Sequence, residues 1–200
     1  MYETPEVRVI VPKDALFDNI KFGFTRTETD SGKYSPVFGI HTEETPLKNP
    51  FVLSIKPRNL PPYLRSKAGI TGIGIKGNVI SQGGSYKNGY ITAQVKSFGR
   101  FYVSVDTIAP LVKPSGFRQG GKYTDGQVLS FHIQDYGSGI AKYSGYIDQE
   151  WALFEYDGKN ELLFYRIDGT KIQKGKKHKI EVIVSDNREN FTRFESTFYY

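Results

Sequence analysis

Cysteine is absent from the 200 residues, and methionine and tryptophan occur once each. The first absence excludes disulfides, thiolate zinc sites and cysteine nucleophiles. Three histidines, His41, His132 and His178, leave little material for an imidazole-built metal centre. Alanine is scarce at 6 residues, and leucine numbers only 10. Helical proteins lean on those two, so a helix-rich fold is not expected. No apolar run is long enough to cross a bilayer as a helix. The opening segment, Met1-Tyr2-Glu3-Thr4-Pro5-Glu6, has neither a basic stretch nor an apolar one and does not read as a signal peptide.

What fills the chain instead is 14 Tyr, 14 Phe and 21 Gly, together with many Val and Ile. β-Branched and aromatic side chains suit a pleated surface, and Gly supplies tight turns. The net charge of +6 is uneven. Residues 1–107 carry 14 basic and 9 acidic side chains, whereas residues 108–200 carry 13 and 12. A mild positive excess suits anionic surfaces, and equally describes a soluble protein with a few extra lysines.

Short apolar or alternating runs recur between turn signals, and each reads as a strand. In the first half these are Val7–Val11, Ile20–Thr25, Pro36–Ile40, Phe51–Lys56, Ala68–Ile75, Tyr90–Val95 and Phe101–Val105. Thr29-Asp30-Ser31-Gly32 and Gln82-Gly83-Gly84-Ser85 are expected loops. In the second half the runs are Val128–Gln134, Ile140–Ile147, Trp151–Tyr156, Glu161–Arg166, His178–Ser185 and Thr192–Tyr199. Tyr156-Asp157-Gly158-Lys159 and Ile167-Asp168-Gly169-Thr170 read as hairpin turns. A polar joint, Asp106-Thr107-Ile108-Ala109-Pro110, separates the halves. The expectation is an all-β chain of two consecutive antiparallel β-sandwiches, residues 1–107 and 108–200, the second immunoglobulin-like.

The joint resembles the D-T-x-x-P junction that opens bacterial immunoglobulin-like modules. Asp135-Tyr136-Gly137-Ser138-Gly139-Ile140 and Ser185-Asp186-Asn187-Arg188-Glu189-Asn190 resemble their D-x-x-S-G-I and D-N-x-x-N elements. Tyr146-Ile147-Asp148-Gln149-Glu150-Trp151 resembles x-I-D-G-x-W, with Gln149 where those modules carry Gly. A broader likeness runs through Val11-Pro12-Lys13-Asp14-Ala15-Leu16, Glu44-Thr45-Pro46-Leu47-Lys48-Asn49-Pro50 and Trp151-Ala152-Leu153-Phe154-Glu155-Tyr156-Asp157. In that order they resemble the non-catalytic C-terminal β-sandwich region of lysostaphin-type zinc endopeptidases of Gram-negative envelopes. The resemblance implies an accessory region of a peptidoglycan metallopeptidase, in the periplasm or cell envelope, joined to an upstream catalytic domain. It implies no cofactor of its own. The H-x-x-x-D and H-x-H segments of that catalytic domain have no counterpart around His41, His132 or His178.

Four further constellations carry candidate chemistry. Asp106, Asp135 and Asp186, with Asn187 and Asn190, sit in the joint and in two loops that share one end of an immunoglobulin-like fold. Converging carboxylates there suit Ca²⁺; the plainer reading has each Asp cap the backbone of its own turn. Tyr143, Tyr146 and Trp151 belong to an aromatic stretch that continues through Phe154, Tyr156, Phe164 and Tyr165. Such rings form either a platform for sugar rings or a core, and the single Trp151 is expected in the core. Lys171, Lys174, Lys176, Lys177 and Lys179 surround Gly175 and read as a solvated turn; no interleaved aromatics suggest nucleic acid. Gly69, Gly72 and Gly74 sit in an alternating run and read as a closely packed strand rather than a dinucleotide loop.

No nucleophile or zinc-ligand pattern appears, so the chain is not expected to be an enzyme itself. The expected function is a non-catalytic accessory region that positions a wall peptidase or meets peptidoglycan, another envelope glycan or a protein partner. The alternative is a free-standing carbohydrate-binding β-sandwich of the envelope.

Overall fold

The computed structural model describes residues 1–28 and 32–200. The turn expected at Thr29, Asp30 and Ser31 lies outside the described residues. The chain divides into two compact units, Met1–Thr107 and Ile108–Tyr200. Each is a β-sandwich, and among the described residues every pairing between two strands is antiparallel. Among the described residues a single short 3-10 turn, Pro62–Leu64, is the only helical piece.

The first unit contains β1 (Tyr2–Glu3), β2 (Val7–Ile10), β3 (Phe24–Thr27), β4 (Val37–Ile40), β5 (Phe51–Ile55), β6 (Ala68–Ile73), β7 (Val79–Ser81), β8 (Ser85–Lys87), β9 (Tyr90–Val95) and β10 (Gly99–Val105). They form two sheets, ordered β1-β2-β5-β9-β8 and β3-β4-β10-β6-β7. Alternation decides which side chains face inward: Val7 and Val9 from β2, Ile91, Ala93 and Val95 from β9, Phe101 and Val103 from β10. Phe51 from one sheet stacks on Phe98 at 5.2 Å and meets Phe101 of the other edge-on at 6.4 Å. Gly72 of β6 packs closely, since a methyl there would sit 3.1 Å from Gln82 Nε2 and 3.3 Å from the Phe101 ring. The glycine-spaced segment is a strand through Ile73.

The second unit contains β11 (Leu111–Pro114), β12 (Val128–Gln134), β13 (Ile140–Ile147), β14 (Glu150–Ala152), β15 (Glu155–Asp157), β16 (Leu162–Arg166), β17 (Lys177–Asp186) and β18 (Phe191–Tyr199). The sheets are β11-β12-β16-β15 and β14-β13-β17-β18. That is the immunoglobulin-like arrangement with one extra edge strand, β14. Leu129, Phe131 and Ile133 of β12 face Ile180, Val182 and Val184 of β17 across one core.

Three expectations need correction. Trp151–Tyr156 is not one strand: the chain leaves one sheet after Ala152 and joins the other at Glu155. Phe154 lies at that crossing and is buried against Phe131 and Tyr165. Ile167-Asp168-Gly169-Thr170 turns the chain but makes no hairpin, because β16 and β17 belong to different sheets. Trp151 is not in the core; 64 % of its surface is exposed. An extra edge strand gives its outward side chains no opposing sheet, so the general rule of a buried sandwich Trp does not apply at this position.

Candidate functional site

The exposed tryptophan sits on a hairpin. Asp148 and Gln149 link β13 to β14 with φ of 51° and 73°. Two successive positive φ values make the tight turn whose twist matches paired strands. The turn fixes the register: Gly145 pairs with Ala152, Tyr146 with Trp151, and Ile147 with Glu150. Directly opposed residues share a face, so Tyr146 and Trp151 lie side by side. Gly145 and Ile147 face inward and are buried, which puts Tyr146 and Trp151 on the outer face.

The register carries this row on across the sheet. Tyr146 pairs with Glu181 of β17, and Glu181 with Glu195 of β18. Ser144, Ile183 and Arg193 form the next row. Arg193 is ion-paired to Glu181 at 2.8 Å, and Lys179 to Glu195 at 3.1 Å. The outer face therefore presents two aromatic rings beside two neutralised carboxylates. Sequence reading named Tyr146 and Trp151 but missed Glu181, Arg193 and Glu195, and it grouped Lys179 with a solvated lysine turn rather than with this face. They lie about thirty to forty-five residues further along the chain, and only strand pairing brings them alongside.

Tyr143 does not share that row. It lies on the inner-face parity of β13, and its ring sits 5.6 Å from Tyr156 of the other sheet. Burial raises the Tyr156 phenol above its ordinary value, with Glu161 and Asp157 adding negative potential. A shallow hollow at the open end of β14 is lined by Tyr143, Ser144, Gly145, Trp151, Ala152, Leu153 and Phe154. The three aromatic candidates thus divide between an outer row and a rim.

His178 holds the hairpin turn from beneath. Its ring is 3 % exposed, with Nδ1 2.6 Å from Asp148 Oδ2 and Nε2 2.8 Å from the Gln173 carbonyl. A carbonyl only accepts, so Nε2 carries a proton. The other Asp148 oxygen accepts from the Lys179 amide at 2.8 Å. In the first unit, His41 Nδ1 accepts from the Gly23 amide at 3.3 Å, and Nε2 meets Thr45 Oγ1 at 2.9 Å. His132 is exposed on β12, opposite Lys113 and Leu162.

The expected acidic candidates have local partners. Asp135 Oδ2 accepts from the amides of Gly137 at 3.1 Å and Gly139 at 2.6 Å. Asp186 is buried; its Oδ1 accepts from the amides of Arg188 and Asn190, and its Oδ2 from the Asn190 side chain at 2.7 Å. Carboxylate oxygens of Asp135 and Asp186 lie within 4.8 Å of each other. Asp106 belongs to the first unit, where its amide donates to the Lys67 carbonyl at 3.0 Å. The lysines from Lys171 to Lys179 are exposed, and Lys174 stands 5.7 Å over the Tyr200 ring.

Residues 1–106, just over half of the chain, match the family model described as the Zu5-like domain. No curated protein matches the sequence. Among solved structures, an endo-beta-1,4-mannanase from Thermotoga petrophila is similar at 14 % identity and a TM-score of 0.40. That match covers 47 % of this chain and 20 % of the mannanase chain, so this chain spans a small part of that protein.

Proposed function

We propose, on the premise that this chain belongs to the Zu5-like domain family, that it is a non-catalytic β-sandwich region that binds the cell envelope beside a peptidoglycan metallopeptidase. The binding half of the reading rests on one observation, the exposed Trp151 paired with the half-buried Tyr146 on the outer face of a sheet. A tryptophan ring exposed beside a tyrosine offers a broad amphipathic surface for contact. The peptidase half rests on the resemblance of Val11–Leu16, Glu44–Pro50 and Trp151–Asp157 to the C-terminal region of lysostaphin-type enzymes. The mechanism is geometric: a region that grips the wall raises the effective concentration of the attached enzyme at its substrate. The proposed location is the periplasm or envelope. A free-standing carbohydrate-binding module is the second reading, and the same aromatic pair favours it.

Purified peptidoglycan sacculi test the proposal. The chain is expected to pellet with sacculi and to release no soluble fragments, with or without added Zn²⁺. Release of fragments would make the chain an enzyme and end the accessory reading. Failure to pellet would remove the wall as its partner.

A further inference from the structure

The row across the second sheet of the second unit has a composition that selects a ligand class. Trp151 and Tyr146 offer ring faces with negative π density, which attract the polarised C–H bonds of a pyranose. Glu181 and Glu195 continue the row as acceptors, and Arg193 adds donors from the next. Strands lie about 4.8 Å apart, so four of them span roughly 15 Å from Trp151 to Glu195, the scale of a short oligosaccharide.

The charges narrow the choice further. Glu181 is matched by Arg193 and Glu195 by Lys179, so the flank is neutral in sum and dense in hydrogen-bonding groups. A polyanion would meet two carboxylates beside the rings. A protein partner seats best on an apolar centre, and charged residues are depleted there. Here the Glu181–Arg193 ion pair stands beside the rings, with Ile183 the neighbouring apolar side chain on β17. A chain rich in hydroxyl and acetamido groups, uncharged along its length, complements the row.

We propose that the outer face of β13, β14, β17 and β18 is a platform for a β-1,4-linked N-acetylhexosamine strand, the glycan of peptidoglycan. Trp151 and Tyr146 stack under neighbouring sugar rings. Glu181 and Glu195 accept hydrogen bonds from hydroxyl and acetamido N–H groups, and Arg193 donates to an acetamido carbonyl. The proposal deepens the wall-binding reading and rests on it for the source of the glycan. His178, through Asp148, is a positioning residue for the turn that sets Trp151 beside Tyr146.

The chain's single tryptophan makes the site directly observable, because all tryptophan emission comes from Trp151. The full chain is titrated with the hexamer of β-1,4-linked N-acetylglucosamine. The emission is expected to shift saturably and to become shielded from acrylamide. Tyr146→Ala is expected to weaken the hexamer up to about tenfold, the loss of one aromatic contact. Glu181→Gln weakens it less, and Tyr63→Ala, an exposed ring of the first unit, leaves it unchanged. Unfolding midpoints of each variant confirm that the fold is kept.

Unchanged emission at saturating hexamer overturns the platform. So does stronger shielding by polyphosphate than by the hexamer. If a Tyr146→Ala, Trp151→Ala double variant pellets with sacculi as the unmodified chain does, wall binding stands and the platform falls. If the hexamer shields Trp151 but the chain leaves sacculi in solution, the platform stands and the wall reading falls.

Discussion

Gln149 occupies a backbone position that costs an ordinary side chain energy. At φ 73° its Cβ crowds the following carbonyl, a strain of about 1–2 kcal/mol that glycine avoids. Gln149→Gly is therefore expected to stabilise the second unit by about 1 kcal/mol, offset in part by the greater freedom of glycine in the unfolded chain. The check is a rise in the unfolding midpoint of roughly 4–8 °C per kcal/mol for a unit of this size. A fall would mean that the Gln149 side chain holds something worth more than the strain.

A second residue-scale device lies in the first unit. Glu6 and Glu28 are bridged by Arg26 and Arg58: Arg26 bonds Glu6 at 2.8 Å, and Arg58 bonds Glu28 at 2.9 Å. Hydrogen bonds from Arg26 lead in holding both carboxyls below their ordinary value of 4.5. A depressed carboxyl stabilises the fold above the unfolded-state value and loses that contribution as pH falls through the folded one. The unfolding midpoint is expected to drop as pH is lowered from about 5 towards 3. In Glu6→Gln the curve starts lower at neutral pH and falls less steeply. Parallel curves would show that the network contributes no acid sensitivity.

At the scale of elements, the β13–β14 hairpin was only half legible. The strand Ile140–Ile147 is readable because Tyr143, Gly145 and Ile147 alternate with polar or half-polar neighbours. Its partner was not, because the turn lacks the Asp-Gly signal and Trp151–Tyr156 reads as one apolar stretch. What divides that stretch is the crossing between sheets at Leu153 and Phe154, a tertiary event with no local turn chemistry. The short edge strands β7, β8 and β11 escaped for a related reason: three or four residues give too little alternation to register.

Gly145 shows why the crossing is rigid. A methyl group there would fall 1.9 Å from Cδ2 of Phe154, so the ring packs directly on the glycine backbone. Gly145→Ala is expected to cost about 1–3 kcal/mol or more, the range for an overpacked core, because Phe154 has no room to retreat from Phe131 and Tyr165. The measurement is chemical unfolding, with Trp151 emission as a second readout. A near-neutral effect would mean that the crossing is loose.

For the whole molecule, the decisive feature is two separate cores. One gathers Phe38, Phe51, Phe98 and Phe101, and the other Phe117, Phe131, Phe154 and Phe198. Each is built from residues of its own unit. Residues 1–107 and 108–200, produced as separate chains, are each expected to unfold cooperatively, and the second to keep the shielding of Trp151 by the hexamer. A molten fragment by circular dichroism and calorimetry would show that one core depends on the other.

The sequence by itself determined the all-β class, because scarce alanine and leucine, abundant aromatics and period-2 runs leave no helix to build. It also determined most central strands, since inward positions such as Ile180, Val182 and Val184 must alternate with polar ones. Only the tertiary structure decided where the aromatics go. Period 2 assigns a residue to one of two faces; whether that face is covered depends on the strand's place in the sheet and on what lies opposite. Trp151 sits on an edge strand's outer side, so the ring expected inside stands in water beside Tyr146. Glu181, Arg193 and Glu195 join it through strand register alone.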